Sequence, residues 1–578
     1  MCGIIGYIGS RKASEVITDA LKRLEYRGYD SVGIAVVGEK GLSLLKEKGM
    51  VGDVSSALDF TSLEGDIGIG HTRWATHGSV CRENAHPHTD CVNDIVLVHN
   101  GVIENYLRLK SGLEAKGHRF SSQTDSEVIA HLIEEKAKTL PLPQAFRMAI
   151  NELEGSYAIA MISSSDKEKR IFLARKNSPL IIGLGKGEML CASDIPAMLK
   201  YTKTFVPLED GDIAVLVRNG YKAYTLSGHE AVRKQITVDW DADMAQKGGY
   251  PHFMLKEIMD QKHFIVQTLA ADVSEARSQI DRYKRIDIVA CGTSYHTGML
   301  FSILLQSMGK CAQAFIASDY QFVAKPDKDT LVFAISQSGE TADVLSALRH
   351  AKDSRKIAIT NTMGSSITAL VDSTIYLNCG PEVGVAATKT FTSQLAILSK
   401  MIYGMERLCP VAELIGSILE KENEIKTIAA KLVSKEHAFF IARGRSVPIA
   451  YEGSLKFKEI TYIHSEAYPG GELKHGTLSL ICEGTPVIAL APADESLPKL
   501  IGNIKEAKAR GAFVISITDS EDVSKESDIT FEIPKKLDPA LHPFALIIPL
   551  QLLAYHVSVL RGINPDRPRN LAKSVTVE

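Results

Sequence analysis

The sequence predicts an α/β and α+β multidomain chain: a layered α+β domain followed by two doubly wound parallel-sheet lobes. Three observations carry that expectation. The chain has 578 residues, enough for about three or four domains of ordinary size. Up to residue 238, short apolar runs such as NDIVLVHNGVIEN and GSYAIAMIS end in polar clusters, with helical stretches such as SEVIAHLIEEKAK between them; this is the pattern of antiparallel strands with packed helices. Beyond that point strands alternate with helices, as βαβ units do, and the alternation occurs twice.

Composition narrows the class. The chain is 45% hydrophobic and 23% charged, as soluble globular proteins are. A formal net charge of −3 gives no electrostatic footprint for nucleic acid or a membrane surface. Nine cysteines without a CxxC pair fit free thiols in a reducing, cytoplasmic setting. The apolar stretch FALIIPLQLLAYHVSVL at 544–560 contains Pro549, Gln551 and His556 and reads as a buried helix rather than a span.

The first element is MCGIIGYIG, a strand from Ile4 to Ile8 with Cys2 just before it. Cys2 is either a small buried hydrophobe or, once Met1 is removed, a residue owning both a thiol nucleophile and a free amine. No basic segment precedes the apolar residues, so no export signal is expected. Gly3 gives the chain room to bend. HTRWATHG and NAHPH bring His71, His77, His86 and His88 close in sequence, but their spacings match no compact zinc pattern and no metal is expected. Arg73 suits a carboxylate, and Trp74 a large apolar lid. In VLVHNGVIEN a strand ends on Asn100-Gly101, which is either an ordinary turn or an oxyanion hole. Asp125 is either a helix cap or a partner for an ammonium group. Taken together with Cys2, these groups fit glutamine: a thiol for its amide, and Arg73 with Asp125 for its backbone charges.

A polar segment at 239–254 is the expected linker. The first lobe, 255–415, carries CGTS and SQSGETAD, each at a strand end that opens a helix. Backbone N–H groups and hydroxyls there make an anion site, lined by Thr293, Ser294, Ser336, Gln337, Ser338 and Thr341. No nucleotide-binding GxxxxGK[ST] is present, which points to a sugar phosphate. The second lobe, 430–565, repeats the pattern, with RIDIVACGTS matching HAFFIARGRS, but APADES replaces SQSGET. In EGSLKFKEITYIHSEAYPGGELKHG, Glu452, Lys456 and Glu459 share a helical face, and His475 follows a glycine loop. That face is either a solvated salt-bridged surface or a proton-transfer site. The tail, 566–578, is polar enough to be disordered, yet it holds Lys573, a Schiff-base candidate.

MCGI, EYRGYDS, HTRWATHG, HNGVIEN, TDSEVIAH, CGTS, SQSGETAD, GVAATK, KEITYIHSEAY, GELKHG and NLAKSVTVE together resemble the glutamine–fructose-6-phosphate aminotransferase (isomerizing), or glucosamine-6-phosphate synthase, family over essentially the whole chain. The resemblance implies a layered αββα N-terminal-nucleophile amidotransferase domain and two sugar-isomerase (SIS) domains. It implies that Cys2 attacks glutamine with its own amine as base, and that Asn100 and Gly101 stabilise the oxyanion. Arg73 and Asp125 would hold glutamine, with Thr76, His77 and His86 nearby. Trp74 would gate internal ammonia transfer. Fructose 6-phosphate would lie on Thr293, Ser294, Ser336, Gln337, Ser338, Thr341 and Val385, with Lys456 close by. Lys573 would form the imine, Glu459 would move the proton, and His475 from a second subunit of a homodimer would open the ring. No cofactor is implied. Ala387 and Thr477 stand where the family commonly has serine and proline, which leaves one sugar contact to the Val385 backbone. Two rival readings are an amidotransferase with another acceptor, for which no SGGxDS-type loop is present, and a non-catalytic sugar-phosphate sensor, which would have no need of Cys2, Glu459 and Lys573 together.

Overall fold

The computed structural model describes residues 2–75, 78–238 and 247–575. The first half of the expected linker, 239–246, together with Thr76 and His77, lies outside them. The N-terminal part is built on two stacked antiparallel sheets. In the eight-stranded sheet β1 (Gly3–Ile8) lies between the strand Met189–Ala192 and β2 (Ile67–Arg73). The six-stranded sheet contains β3 (Ile95–Ile103) paired to β4 (Gly155–Ser163). Strand alternation assigns the layers. Ile4 and Ile8 of β1 meet Val96, Val98 and Ala158 between the sheets. Ile5 and Tyr7 face outward against α1 (Ala13–Leu24). On the far side Ile95 and Leu97 pack on α3 (Glu127–Ala137) and α4 (Leu142–Asn151), beyond α2 (Tyr106–Glu114). The result is the αββα layering the sequence predicts.

Gly3 has a different reason from the one expected. It is an extended strand residue paired with Thr72, and a Cβ there would lie 2.7 Å from Thr72 Oγ1 and 3.0 Å from Leu24 Cβ. Close approach of α1, not a bend, requires glycine.

The C-terminal part opens with α5 (Phe253–Leu269). A five-stranded parallel sheet follows, made of β5 (Arg285–Ala290), β6 (Cys311–Ile316), β7 (Thr330–Ile335), β8 (Arg355–Thr360) and β9 (Ser373–Tyr376). Its spatial order is β6-β5-β7-β8-β9. A second parallel sheet, β10 (His437–Ala442), β11 (His464–Pro469), β12 (Pro486–Ala491), β13 (Phe513–Thr518) and β14 (Ile529–Glu532), repeats the order as β11-β10-β12-β13-β14. In each, the chain order reverses between the first and third strands, which is where ligands bind in such sheets. In the first lobe that point is flanked by α6 (Gly292–Ser307), whose first turn is the GTS of CGTS, and α7 (Ala342–His350), which follows SQSGET.

The lobes share one core. Residues that straddle the expected boundary between them form α9 (Val411–Leu419) and α10 (Glu422–Ala430), after α8 (Lys389–Tyr403). They cluster with α5, α11 (Val447–Thr461) and α12 (His542–Leu560). Helix α12 is long and apolar enough to cross a membrane, but 89% of its apolar window is buried inside the fold. Its Gln551 explains the polar interruption: Oε1 accepts from Gln261 Nε2 at 2.8 Å, and Nε2 donates to the Thr388 carbonyl at 3.2 Å. Replacing Gln551 by Leu removes one buried bond from each partner, although Gln261 Nε2 keeps the Ile258 carbonyl and the Thr388 carbonyl keeps the Thr392 N–H and hydroxyl. We expect a loss of about 1–3 kcal/mol, read as a lowered denaturant midpoint.

Candidate active site

Because β1 is central and antiparallel to β2, residue 2 lies beside the end of β2. The Trp74 backbone N–H points at Cys2 Sγ (3.3 Å), and the thiol lies 3.5 Å from the Trp74 carbonyl. The Cys2 carbonyl accepts from Asn100 Nδ2 at 3.0 Å and from Arg27 Nε at 3.2 Å. Burial raises the Cys2 thiol, against the pull of the Trp74 backbone, Arg73 and Arg27. Asn100 has one orientation available. His71 Nε2 faces two acceptors, the His99 carbonyl (3.1 Å) and Asn100 Oδ1 (3.0 Å), so it carries the proton and donates. Asn100 Oδ1 is thereby fixed away from Cys2, and the Nδ2 amide is aimed at it. At the neighbouring Gly101 φ is +127°, and a Cβ would fall 2.1 Å from the Ser156 carbonyl of β4.

The other expected residues of this half divide in two. Arg73 is buried at the end of β2. Asp125 is buried before α3, where its Oδ2 accepts the Ile103 N–H at 2.7 Å, which ties it to the strand bearing Asn100-Gly101. Trp74 is half-buried and edge-on to Tyr29, with ring centroids 5.5 Å apart. His86 is a buried support: it stacks on His71 at 4.1 Å, and its Nδ1 accepts the His99 N–H. Thr76 and His77 lie outside the described residues.

EYRGYDS acquires roles that its sequence did not announce. Arg27 holds the Cys2 carbonyl and pairs with Asp194 at 3.0 Å. A Cβ on Gly28 would come within 2.7 Å of both Arg73 C and Trp74 N, the peptide that faces the thiol. Asp30 accepts the Ala75 N–H at 2.8 Å. Two tyrosines and a glycine among charges were the only signal for this cradle.

In the first lobe, Ser336 Oγ and Thr341 Oγ1 are 2.9 Å apart. Ser336 Oγ also accepts the Gly339 N–H, and Ser338 Oγ the Glu340 N–H. Across the switch point, Thr293 Oγ1 donates to Glu452 Oε1 (3.1 Å) and accepts from Lys456 Nζ (3.0 Å). Ser294 Oγ accepts from Gln394 Nε2. Lys456 also reaches Glu459 Oε2 at 2.6 Å. Glu452 and Lys456 are 0% and 1% exposed, so this face is an internal cluster and not a solvated one. Burial and the charge of Glu452 raise the Glu459 carboxyl, against Lys456 and Lys573.

Lys573 pairs with Glu382, its side chain 4% exposed and that of Glu382 fully buried. Glu382 also accepts the backbone N–H of Thr388 and Thr390 and the Thr390 hydroxyl. Burial opposes its ionised form, but Lys573 and these donors hold its carboxyl below the ordinary value. One cavity is bordered by Tyr26, Arg27 and Asp194 from the N-terminal domain, by Gln337 and Ser338 from the first lobe, and by Lys573 of the tail. Val385 is buried near its rim, two residues past the lining residue Val383. His475 stands apart, exposed at the end of the turn Gly470–His475.

Comparison with known families agrees with this division. A glutamine amidotransferase domain matches residues 71–200, and a SIS domain matches 279–403 and again 431–561. Proteins named glutamine–fructose-6-phosphate aminotransferase (isomerizing) from Pyrococcus horikoshii and Thermococcus kodakarensis are 47% and 46% identical, each over the full length of both chains. The chain belongs to the glutamine–fructose-6-phosphate aminotransferase family. The solved C-terminal domain of that aminotransferase from Francisella tularensis is 36% identical and has a TM-score of 0.53, covering 56% of this chain and 99% of that one.

In this aminotransferase chain the orienter of Asn100 also sets an acid limit. Burial, outweighing its hydrogen bonds, pushes His71 down to about 3 from 6.5. The unfolded chain therefore takes up a proton that the native chain refuses, and stability falls as pH drops from 6.5 toward 3. We expect a shallower fall in denaturant midpoint between pH 7 and pH 5 for His71→Gln than for the parent protein.

Proposed function

We propose that this chain converts fructose 6-phosphate and L-glutamine to glucosamine 6-phosphate and L-glutamate. The observation that carries the reading is the cavity shared by Arg27, whose guanidinium holds the Cys2 carbonyl, and by Lys573 with the SQSGE loop. In this reading ammonia released beside Cys2 passes Arg27 and crosses this cavity to a sugar held at the SQSGE loop.

In this reading Met1 is removed and the free amine of Cys2 takes the thiol proton. The thiolate adds to the glutamine amide, and the oxyanion is held by the Asn100 amide and the Gly101 N–H. The C–N bond breaks, ammonia leaves, and water hydrolyses the thioester to glutamate. Arg73 and Asp125 hold the carboxylate and ammonium of glutamine, and Trp74 gates the cavity. The sugar phosphate binds Ser336, Gln337, Ser338 and Thr341 at the head of α7, with Thr293, Ser294 and Val385 on its other side. His475 of a second copy opens the ring, consistent with its exposure in the single chain. Lys573 condenses with the C2 carbonyl, losing water. Ammonia displaces the lysine, and Glu459, beside Lys456, carries the proton from C1 to C2. A raised carboxyl pKa suits such a shuttle. The reaction is placed in the cytoplasm.

Glutamine labelled at the amide nitrogen tests the coupling. With fructose 6-phosphate and the purified protein, the label should appear in a hexosamine phosphate; label found only in free ammonia would remove the acceptor assignment. Lys573→Arg should abolish hexosamine formation while basal glutaminase persists, and full-rate synthesis by that variant would overturn the imine. Intact-mass measurement should find Met1 absent from active protein.

A further inference from the structure

We propose that Cys91, His118, His131 and Glu134, none of them among the groups assigned to glutamine, form a structural zinc site in the N-terminal domain. The four come from three separate segments. Cys91 lies in the turn before β3, His118 in the loop after α2, and His131 and Glu134 one turn apart on α3. Their ligand atoms all lie within 4.8 Å of one another. Cys91 Sγ is 3.6 Å from His118 Nδ1 and 3.4 Å from His131 Nδ1. Glu134 Oε2 is 3.0 Å from His118 Nδ1 and 3.3 Å from His131 Nδ1. Zinc with nitrogen at ~2.05 Å and sulfur at ~2.3 Å, in a tetrahedron, requires ligand separations of roughly 3.3–3.6 Å. The four separations fall at or near that range.

The outer partners point the same way. Each imidazole turns Nδ1 into the cluster and Nε2 toward a carboxylate: His118 Nε2 lies 3.0 Å from Glu135 Oε2, and His131 Nε2 lies 3.6 Å from Glu127 Oε1. Carboxylates behind ligating histidines fix the tautomer and raise basicity at the metal. Glu135 holds the proton of His118 on Nε2, while His131 Nε2 is at ion-pair rather than hydrogen-bond separation from Glu127, and both Nδ1 atoms and a carboxylate oxygen face one S–H. A cation satisfies all of them once the thiol proton leaves. One thiolate, two imidazoles and one carboxylate fill four positions, so the site is closed and structural. The ligands are 27, 13 and 3 residues apart in sequence, which is why no compact motif announces them. The expectation of no metal was drawn from the spacings of His71, His77, His86 and His88, a different set of residues.

The site would brace a loop of functional weight. Glu127, behind His131, also accepts the backbone N–H groups of Ser121 and Ser122, and Asp125 lies between these anchors.

The full-length chain should be purified without a metal-affinity tag or chelator and its metals quantified. One zinc per chain is expected. Cobalt exchanged into the chelated protein should give intense tetrahedral ligand-field bands and a thiolate-to-cobalt charge-transfer band, and zinc added to the stripped protein should raise its Tm. Cys91→Ser should lose the charge-transfer band. Should that variant not fold, His118→Gln must show reduced zinc content, and the wild-type titration stands without either. Wild-type protein that holds no zinc, takes up no cobalt and shows no Tm rise would leave a proton-only network and refute the site. A charge-transfer band persisting in Cys91→Ser would place the metal at another cysteine and refute the assignment.

Discussion

The buried pair of Lys573 and Glu382 is the contact on which the relation between the two halves depends. Removing one partner of such a pair is destabilising by about 3–5 kcal/mol, because the other is left charged without water. Here the pair seats the last segment of the chain, and that segment touches nearly everything else. Asp566 accepts the N–H groups of Phe253 and Met254 and so caps α5. Arg567 pairs with Glu25 of the N-terminal domain. The Pro568 carbonyl accepts from Tyr29, the ring against which Trp74 stands. The Arg569 N–H donates to Tyr462, and its guanidinium covers that ring at 4.2 Å. The Val575 carbonyl accepts the Ala342 N–H at the head of α7. A polar tail that composition alone allows to be disordered is held by one tether after another.

Much of this was legible in the sequence, and the limits have physical reasons. The short apolar run IIGYI marks β1 as a buried strand, and the repeated strand–glycine–helix pattern gives both parallel sheets. Spacing places Glu452, Lys456 and Glu459 on one face of α11, but spacing says nothing of what covers that face, and Thr293 of the other lobe does so. His71 looked like one of four histidines in a row; its task, holding the Asn100 amide, depends on β2 and β3 lying in facing sheets. The tail's anchors come from residues hundreds of positions away, and no local pattern encodes them.

The two lobes also show how one backbone plan takes two roles. Gly292 and Gly444 follow the first strand of each sheet with φ of +52° and +55°, the left-handed turn that glycine adopts without strain. In the first lobe the switch point is lined with hydroxyls. In the second, Arg443 bonds Asn503 Oδ1 through Nε and a terminal nitrogen, at 3.0 and 2.9 Å, and a Cβ on Gly471 would meet that guanidinium at 2.8 Å. The position lined with hydroxyls in one lobe is filled by a guanidinium and an amide in the other.

The tethered tail has a thermodynamic consequence. Its backbone is shared property: Pro568 and Arg567 report to the domain of Cys2, and Lys573 and Val575 to the first lobe. Whatever orders this segment at one end has already met part of the conformational entropy cost of ordering it at the other. If ligands bind at both ends, as the proposed function has it, their occupancies are linked, and linkage is reciprocal. The factor by which a ligand at the SQSGE loop tightens binding beside Trp74 equals the factor by which a ligand beside Trp74 tightens binding at that loop. A segment of ten described residues, 566–575, none of them in helix or strand, thus contacts both halves of the chain.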